Sequence, residues 1–162
     1  MSMQNTTLQP YFLHGNEGQA TWFLACRMTL KASNESTGGA LTVMEMLQAP
    51  GGTSPWHVHH REDEMFYLLE GNILFKCGDE LFEGGPGSFV FLPRDIPHSH
   101  KIIGETTARW LNLTTPGGGE GFFIEAGTPA LEDGLRPQPG NHQQLAASAA
   151  KYGLEILGPP PL

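Results

Sequence analysis

Glycine cuts the middle of this 162-residue chain into pieces too short for helices. Gly71, the Gly78-Asp79 pair and the run Gly84-Gly85-Pro86-Gly87 separate the apolar segments 64–70 (EMFYLLE), 72–77 (NILFKC) and 87–92 (GSFVFL). Glycine supplies the positive φ that tight hairpins need. Upstream, 21–32 (TWFLACRMTLKA) and 40–48 (ALTVMEMLQ) flank a loop-like SNESTGG. Downstream, 98–103 and 108–115 (ARWLNLTT) read as two further strands. Short strands at close spacing with turn signals between them predict an all-β antiparallel sandwich or barrel. The 21 glycines and 13 prolines, with 39% hydrophobic residues, fit that architecture better than a helical bundle.

The last third reads differently. TPGGG closes the strand run, and Glu120–Ala126 (EGFFIEA) reads as a short helix. After a Pro/Gly-rich connector, 141–152 (NHQQLAASAAKY) holds strong helix formers, with Asn141 placed as N-cap and Gly153 as stop. The ending GPPPL cannot continue a helix. We expect one domain over 1–162, with a strand core at about 11–115 and a helical extension at about 116–162 packed outside it. The first nine residues are polar and expected to be loose.

Charge narrows the partners. Nine Lys+Arg against 17 Asp+Glu give a formal charge of −8, which repels phosphate backbones and anionic lipid. Neither nucleic acid nor membrane is expected as a partner, and no apolar run reaches membrane-spanning length. The start, MSMQNTTLQP, has no basic or apolar stretch of a leader, and Cys26 and Cys77 form no CxxC pair. Two reduced thiols in a cytoplasmic protein are the expectation.

Five of the seven histidines (His57, His59, His60, His98, His100) fall in one short middle stretch. A lone histidine is most simply a hydrogen-bonded structural residue; a cluster asks for a cause. His57 and His59 are two apart, so on a strand both face one side, while His60 turns away. Glu64 follows after a short link and opens the next strand. His98 opens a much later strand that a barrel brings across the same cavity. Three imidazoles and a carboxylate form a ligand set for one divalent transition metal: Fe, Mn, Co, Ni, Cu or Zn.

These residues resemble a family. Gly51-x5-His57-x-His59-x4-Glu64-x6-Gly71 matches the first motif of the cupin superfamily at every fixed position. Such a five-residue pattern arises by chance on the order of once in a few thousand chains of this composition. In the second motif Gly87, Pro93 and His98 fall in register, whereas Asp95 stands where glycine is usual and Ile102 where asparagine is usual. The resemblance implies a cupin jelly-roll β-barrel, one metal per domain, and His57, His59, Glu64 and His98 as its ligands. More widely, PYFL, WF, KAS, TGGA, HVHHREDEMFYLLEG and YGLE-x-LGPPP look like cupins related to quercetin 2,3-dioxygenase. Quercetinases proper are often two-barrel proteins; this chain has strands for one barrel.

Glu64 reads as a fourth ligand, as a base that takes a proton from a substrate hydroxyl, or as both. His100 shares parity with His98 and reads either as a satisfied core histidine or as a substrate contact. Phe66 and Leu68 share parity with Glu64 and are expected to line the cavity as substrate-binding residues. Trp22, Trp56 and Trp110 read as core or rim. Met65, Tyr67 and Leu69, on the other face of the same strand, are apolar as well, which points to a homodimer or to cover by an N-terminal strand or the C-terminal helix. The leading expectation is a metal-dependent dioxygenase acting with O₂ on a small enol, flavonol-type or phenolic molecule. The alternatives are a non-oxidative isomerase or lyase on a small hydroxy-carbonyl compound, and a binding module without turnover.

Overall fold

In the computed structural model, which describes residues 7–140 and 142–162, twelve strands and two helices follow one another along the chain. The expectations for residues 1–6 and for Asn141 lie outside the described residues. The strands are β1 (Gln19–Phe23), β2 (Cys26–Ala32), β3 (Thr42–Gln48), β4 (Trp56–His59), β5 (Asp63–Glu70), β6 (Asn72–Cys77), β7 (Glu80–Gly84), β8 (Phe89–Leu92), β9 (His98–Ile103) and β10 (Ala108–Thr115). Then come helix α1 (Glu120–Ala126), β11 (Thr128–Pro129), helix α2 (His142–Lys151) and β12 (Leu154–Gly158).

The strands form two antiparallel sheets, ordered β11-β1-β2-β3-β10-β5-β8 and β12-β4-β9-β6-β7. They face each other as a jelly roll; hydrogen bonding does not close them into one continuous barrel. Alternation dictates what lies between them. On β3 the inward positions are Thr42, Met44, Met46 and Gln48, and on β10 they are Ala108, Trp110, Asn112 and Thr114. Together with Met28, Phe66, Leu68, Ile73, Phe75, Leu92 and Ile102 these apolar side chains make the main core.

Local chemistry explains the turns. The apolar stretch 21–32, which reads as one run, breaks into β1 and β2 at a two-residue turn where Leu24 takes φ 52. Gly71 joins β5 to β6 at φ 74, and a Cβ there would lie 2.8 Å from Ala108 Cα. Asp95, in the place of the usual glycine, adopts φ 64, a conformation that a short polar side chain tolerates. Its N–H donates to the His59 carbonyl at 2.8 Å, so the turn shape survives the substitution. Ile102, in the place of the usual asparagine, is fully buried in the core.

The C-terminal third does more than lie against the outside. Phe122, Leu145 and Ala149 form a second apolar cluster with Phe23, Phe123, Tyr152, Leu154 and Ile156. Glu125 ties α1 to α2 by accepting hydrogen bonds from Ser148, Lys151 and Tyr152. After α2 the chain turns at Gly153 into β12, which pairs antiparallel with β4. That strand is not apparent in the sequence, because YGLEILG has no partner until the fold supplies one. No helix among the described residues is long and apolar enough to cross a membrane.

Candidate metal centre

His57 and His59 alternate onto the inner face of β4. His98, the first residue of β9, pairs directly with His57. Glu64 comes from β5 in the opposite sheet. The space between the sheets thus receives three imidazoles from one side and a carboxylate from the other. All four ligand atoms lie within 4.8 Å of one another. His60 points the other way, as alternation requires, and donates to Asp95 at 2.8 Å and Glu155 at 2.9 Å. Those two hydrogen bonds raise its pKa.

Each inward imidazole has its outer nitrogen occupied. His57 Nδ1 donates to the Pro55 carbonyl (2.7 Å), His59 Nδ1 to Glu62 Oε1 (3.0 Å) and His98 Nδ1 to the Ile96 carbonyl (3.1 Å). Carbonyl and carboxylate oxygens only accept, so Nδ1 carries the proton and Nε2 of the neutral ring is a lone pair. His98 Nε2 then meets Glu64 Oε2 at 2.8 Å, and His59 Nε2 lies 3.5 Å from the same oxygen. Two lone-pair atoms at such a distance require a positive species between them, a proton or a cation.

A first-row ion fits this requirement. Donor atoms about 2.1 Å from one ion lie roughly 3–4 Å from each other, so a cluster of this span closes on it with shifts below about an ångström. The titration shifts express the same demand for positive charge beside Glu64, met by an ion or by a proton on His59. Burial disfavours charge on His57 and, with His98 and His59 adjacent, brings its pKa down to about 3. Burial also opposes charge on Glu64, but His59 and His98 outweigh it and hold the carboxyl below its usual range. On His59 burial is outweighed in turn by Glu64 and Glu62, and its pKa rises. His57, His59, Glu64 and His98 are therefore a set able to bind a metal.

The cluster opens into a cavity of about 600 Å³ between the sheets. Phe66 and Trp110 stack in its wall, with ring centroids 5.6 Å apart, and Phe122, Phe123 and Tyr152 of the C-terminal third complete its lining. No lysine or arginine occurs among the described residues that line it. His100 lines it too. Its Nε2 donates to Gln48 Oε1 at 2.8 Å, and burial brings its pKa down to about 4. Leu68 shares the parity of Phe66 but is fully buried in the core and is not among the lining residues.

Three neighbours of the cluster escape sequence reading. Glu62 is 4% exposed and holds His59. Asn112 donates from Nδ2 to Glu64 Oε1 at 2.7 Å. Gln48 fixes His100. The available signal is polar residues at inward positions of otherwise apolar strands, as with Asn112 in ARWLNLTT and Gln48 in TVMEMLQ.

Fold and site define a jelly roll carrying three histidines and one glutamate for a metal. Residues 44–114 match the family described as Cupin domain. The chain belongs to the cupin superfamily. It is 27% identical over 120 residues to quercetin 2,3-dioxygenase of Bacillus subtilis (strain 168), covering 74% of this chain and 35% of that enzyme. It is 26% identical over 146 residues to oxalate oxidase GF-2.8 of Triticum aestivum, covering 72% of this chain and 63% of that one. The match thus spans about a third of the first relative and under two thirds of the second. Among solved structures, KdgF from Halomonas sp. superposes with a TM-score of 0.62 at 17% identity, over 69% of this chain and 98% of that one. A predicted oxalate decarboxylase from Thermotoga maritima gives 0.62 at 19% identity, over 65% and 99%. At such identities the structural likeness concerns the fold.

Proposed function

We propose that this cupin is a metal-dependent dioxygenase acting on a small enol, flavonol-type or phenolic substrate. One observation carries the reading: the three-histidine, one-glutamate cluster faces an aromatic-walled cavity lined by no lysine or arginine among the described residues. Beyond the metal itself, an oxalate or a phosphate ester, fully ionised, finds no cationic side chain there to pair with its remaining charge. A planar phenolic molecule finds Phe66 and Trp110 to pack against and fits a cavity of about 600 Å³. The 27% identity to a quercetin 2,3-dioxygenase adds support.

When bound, a redox-active ion supplies a Lewis acid for the substrate oxygen and a place for O₂ beside it. The chain's own residues do the rest. Glu64, held ionised, accepts the proton of a substrate hydroxyl, while Asn112 pins its second oxygen. Phe66 sets the ring plane, and His100, neutral and braced by Gln48, faces the substrate. We place the protein in the cytoplasm, with Cys26 and Cys77 both unpaired. We also assign it a homodimer through the outer face of β5 and β8, where Tyr67, Phe89 and Phe91 are exposed.

Elemental analysis of wild type beside a His57→Ala/His98→Ala double variant, followed by O₂ uptake with quercetin, tests the reading. We expect about one equivalent of Fe, Mn, Ni, Co or Cu in the wild type only, and O₂ consumption that stops in the variant. A protein that stays metal-free after reconstitution, or that turns quercetin over equally well without O₂, refutes it.

A further inference from the structure

The inner face of β10 carries three polar atoms that the fold leaves unmet. Trp110 Nε1, Asn112 Oδ1 and Thr114 Oγ1 are buried and find no hydrogen-bond partner among the described residues. Their residues are 1%, 4% and 2% exposed, and all three border the cavity. They sit at every second position of one strand, so they form a row about 13 Å long at a rise near 3.3 Å per residue. Buried polar groups are almost always paired, and a group left alone pays its full desolvation cost. Three in a row beside a cavity point to a ligand that pairs them.

Their chemistry specifies it. The indole of Trp110 only donates. Asn112 Oδ1 only accepts, because its Nδ2 is committed to Glu64 Oε1. The Thr114 hydroxyl does both. Hydroxyl groups satisfy all three positions, whereas an acceptor-only carboxylate or phosphate meets a lone pair at Asn112. We propose that β10 is a neutral polar subsite in which Trp110, Asn112 and Thr114 bind the hydroxyl and carbonyl groups of an uncharged, polyhydroxylated ligand lying along the strand. This rests on the reading above that the cavity holds the substrate, and it adds the residues that select it.

Titrating the metal-loaded protein with quercetin and with flavone, the same ring skeleton without hydroxyls, tests the subsite. Quercetin is expected to bind at least about tenfold more tightly. Thr114→Val should weaken quercetin about tenfold, leave flavone unchanged, and leave the thermal midpoint equal or higher, because it removes an unpaired buried hydroxyl. Thr114→Ser should restore quercetin binding. Unchanged quercetin affinity in Thr114→Val, equal weakening of both probes, or no binding of either to wild type overturns the proposal. Repeating the titration on chelator-treated protein separates the two readings. A Thr114-dependent preference that persists without metal, in a protein that consumes no O₂ even when metal-loaded, leaves the subsite standing and removes the dioxygenase.

Discussion

Glu62 is the one side chain that orients a metal ligand through its outer nitrogen: His57 and His98 donate to backbone carbonyls instead, which no substitution removes. Glu62→Ala therefore frees a single ring, His59, and leaves the other three ligands in place. Loss of such a partner typically weakens metal binding 10- to 100-fold, about 1.4–2.7 kcal/mol. His59 is buried and packed with His57 and His98 at ring-centroid distances of 5.2 and 5.4 Å, so it cannot swing far once released. That confinement sets the expectation at the lower end, roughly 10- to 30-fold. Glu62→Gln keeps an acceptor but loses its charge, and charge-assisted hydrogen bonds are roughly twice as strong as neutral ones, so about half the free-energy loss should return. Competition between the protein and a chelating dye for Zn²⁺ or Ni²⁺ reads both variants, with His59→Ala as the limit. Affinities within about twofold of wild type for Glu62→Ala, or a loss as complete as that of His59→Ala, would refute the argument that Glu62 orients rather than ligates.

Gly71→Ala forces a Cβ into the left-handed region at φ 74 and to 2.8 Å from Ala108 Cα, a backbone atom with nowhere to go. Conformational strain of about 1–2 kcal/mol and overpacking of about 1–3 kcal/mol predict a loss near 2–5 kcal/mol in urea unfolding; a change under about 1 kcal/mol contradicts the geometry. At the other end of the molecule, Glu125 has its pKa lowered by hydrogen bonds from Lys151 first and from Tyr152 and Ser148 after it. A lowered carboxyl pKa means stability that is present above the ordinary 4.5 and lost as pH falls through the folded value. Wild type should therefore melt above Glu125→Gln at neutral pH, with the gap closing in acid; a gap that stays constant below that range would show that the charge plays no part.

The four residues of the cluster were legible because three lie within eight residues and the fourth falls in a second spaced motif. Alternation alone also turned His60 away from His57 and His59, as the structure has it. Strands bounded by glycine, such as β6 and β9, emerged with the expected limits. What stayed hidden depends on contacts between distant segments. Asn112 reaches Glu64 only because β10 pairs with β5 in the register that sets Asn112 opposite Phe66 and Thr114 opposite Glu64. The β1–β2 turn was hidden because Leu24 and Ala25 are apolar and look like strand. Phe122 and Phe123, which line the cavity, sit in a helix whose sequence says nothing of what it covers.

The pairing of β12 with β4 also fixes an order of assembly. β4 is four residues long and meets β9 at the single pair His57↔His98, whereas β12 supplies four partners. During synthesis, the strand bearing two of the four ligands waits nearly a hundred residues for its main support, since His57 pairs with Ile156. The rest of the sandwich has its hydrogen-bonding partners earlier, much of it through hairpins between neighbours. A nascent chain released before Gly158 carries every ligand and most of its core, yet lacks the clamp that aims His57 and His59. Formation of the cluster thus waits for β12, and a product terminated before that strand lacks the pairing that holds His57 and His59 in place.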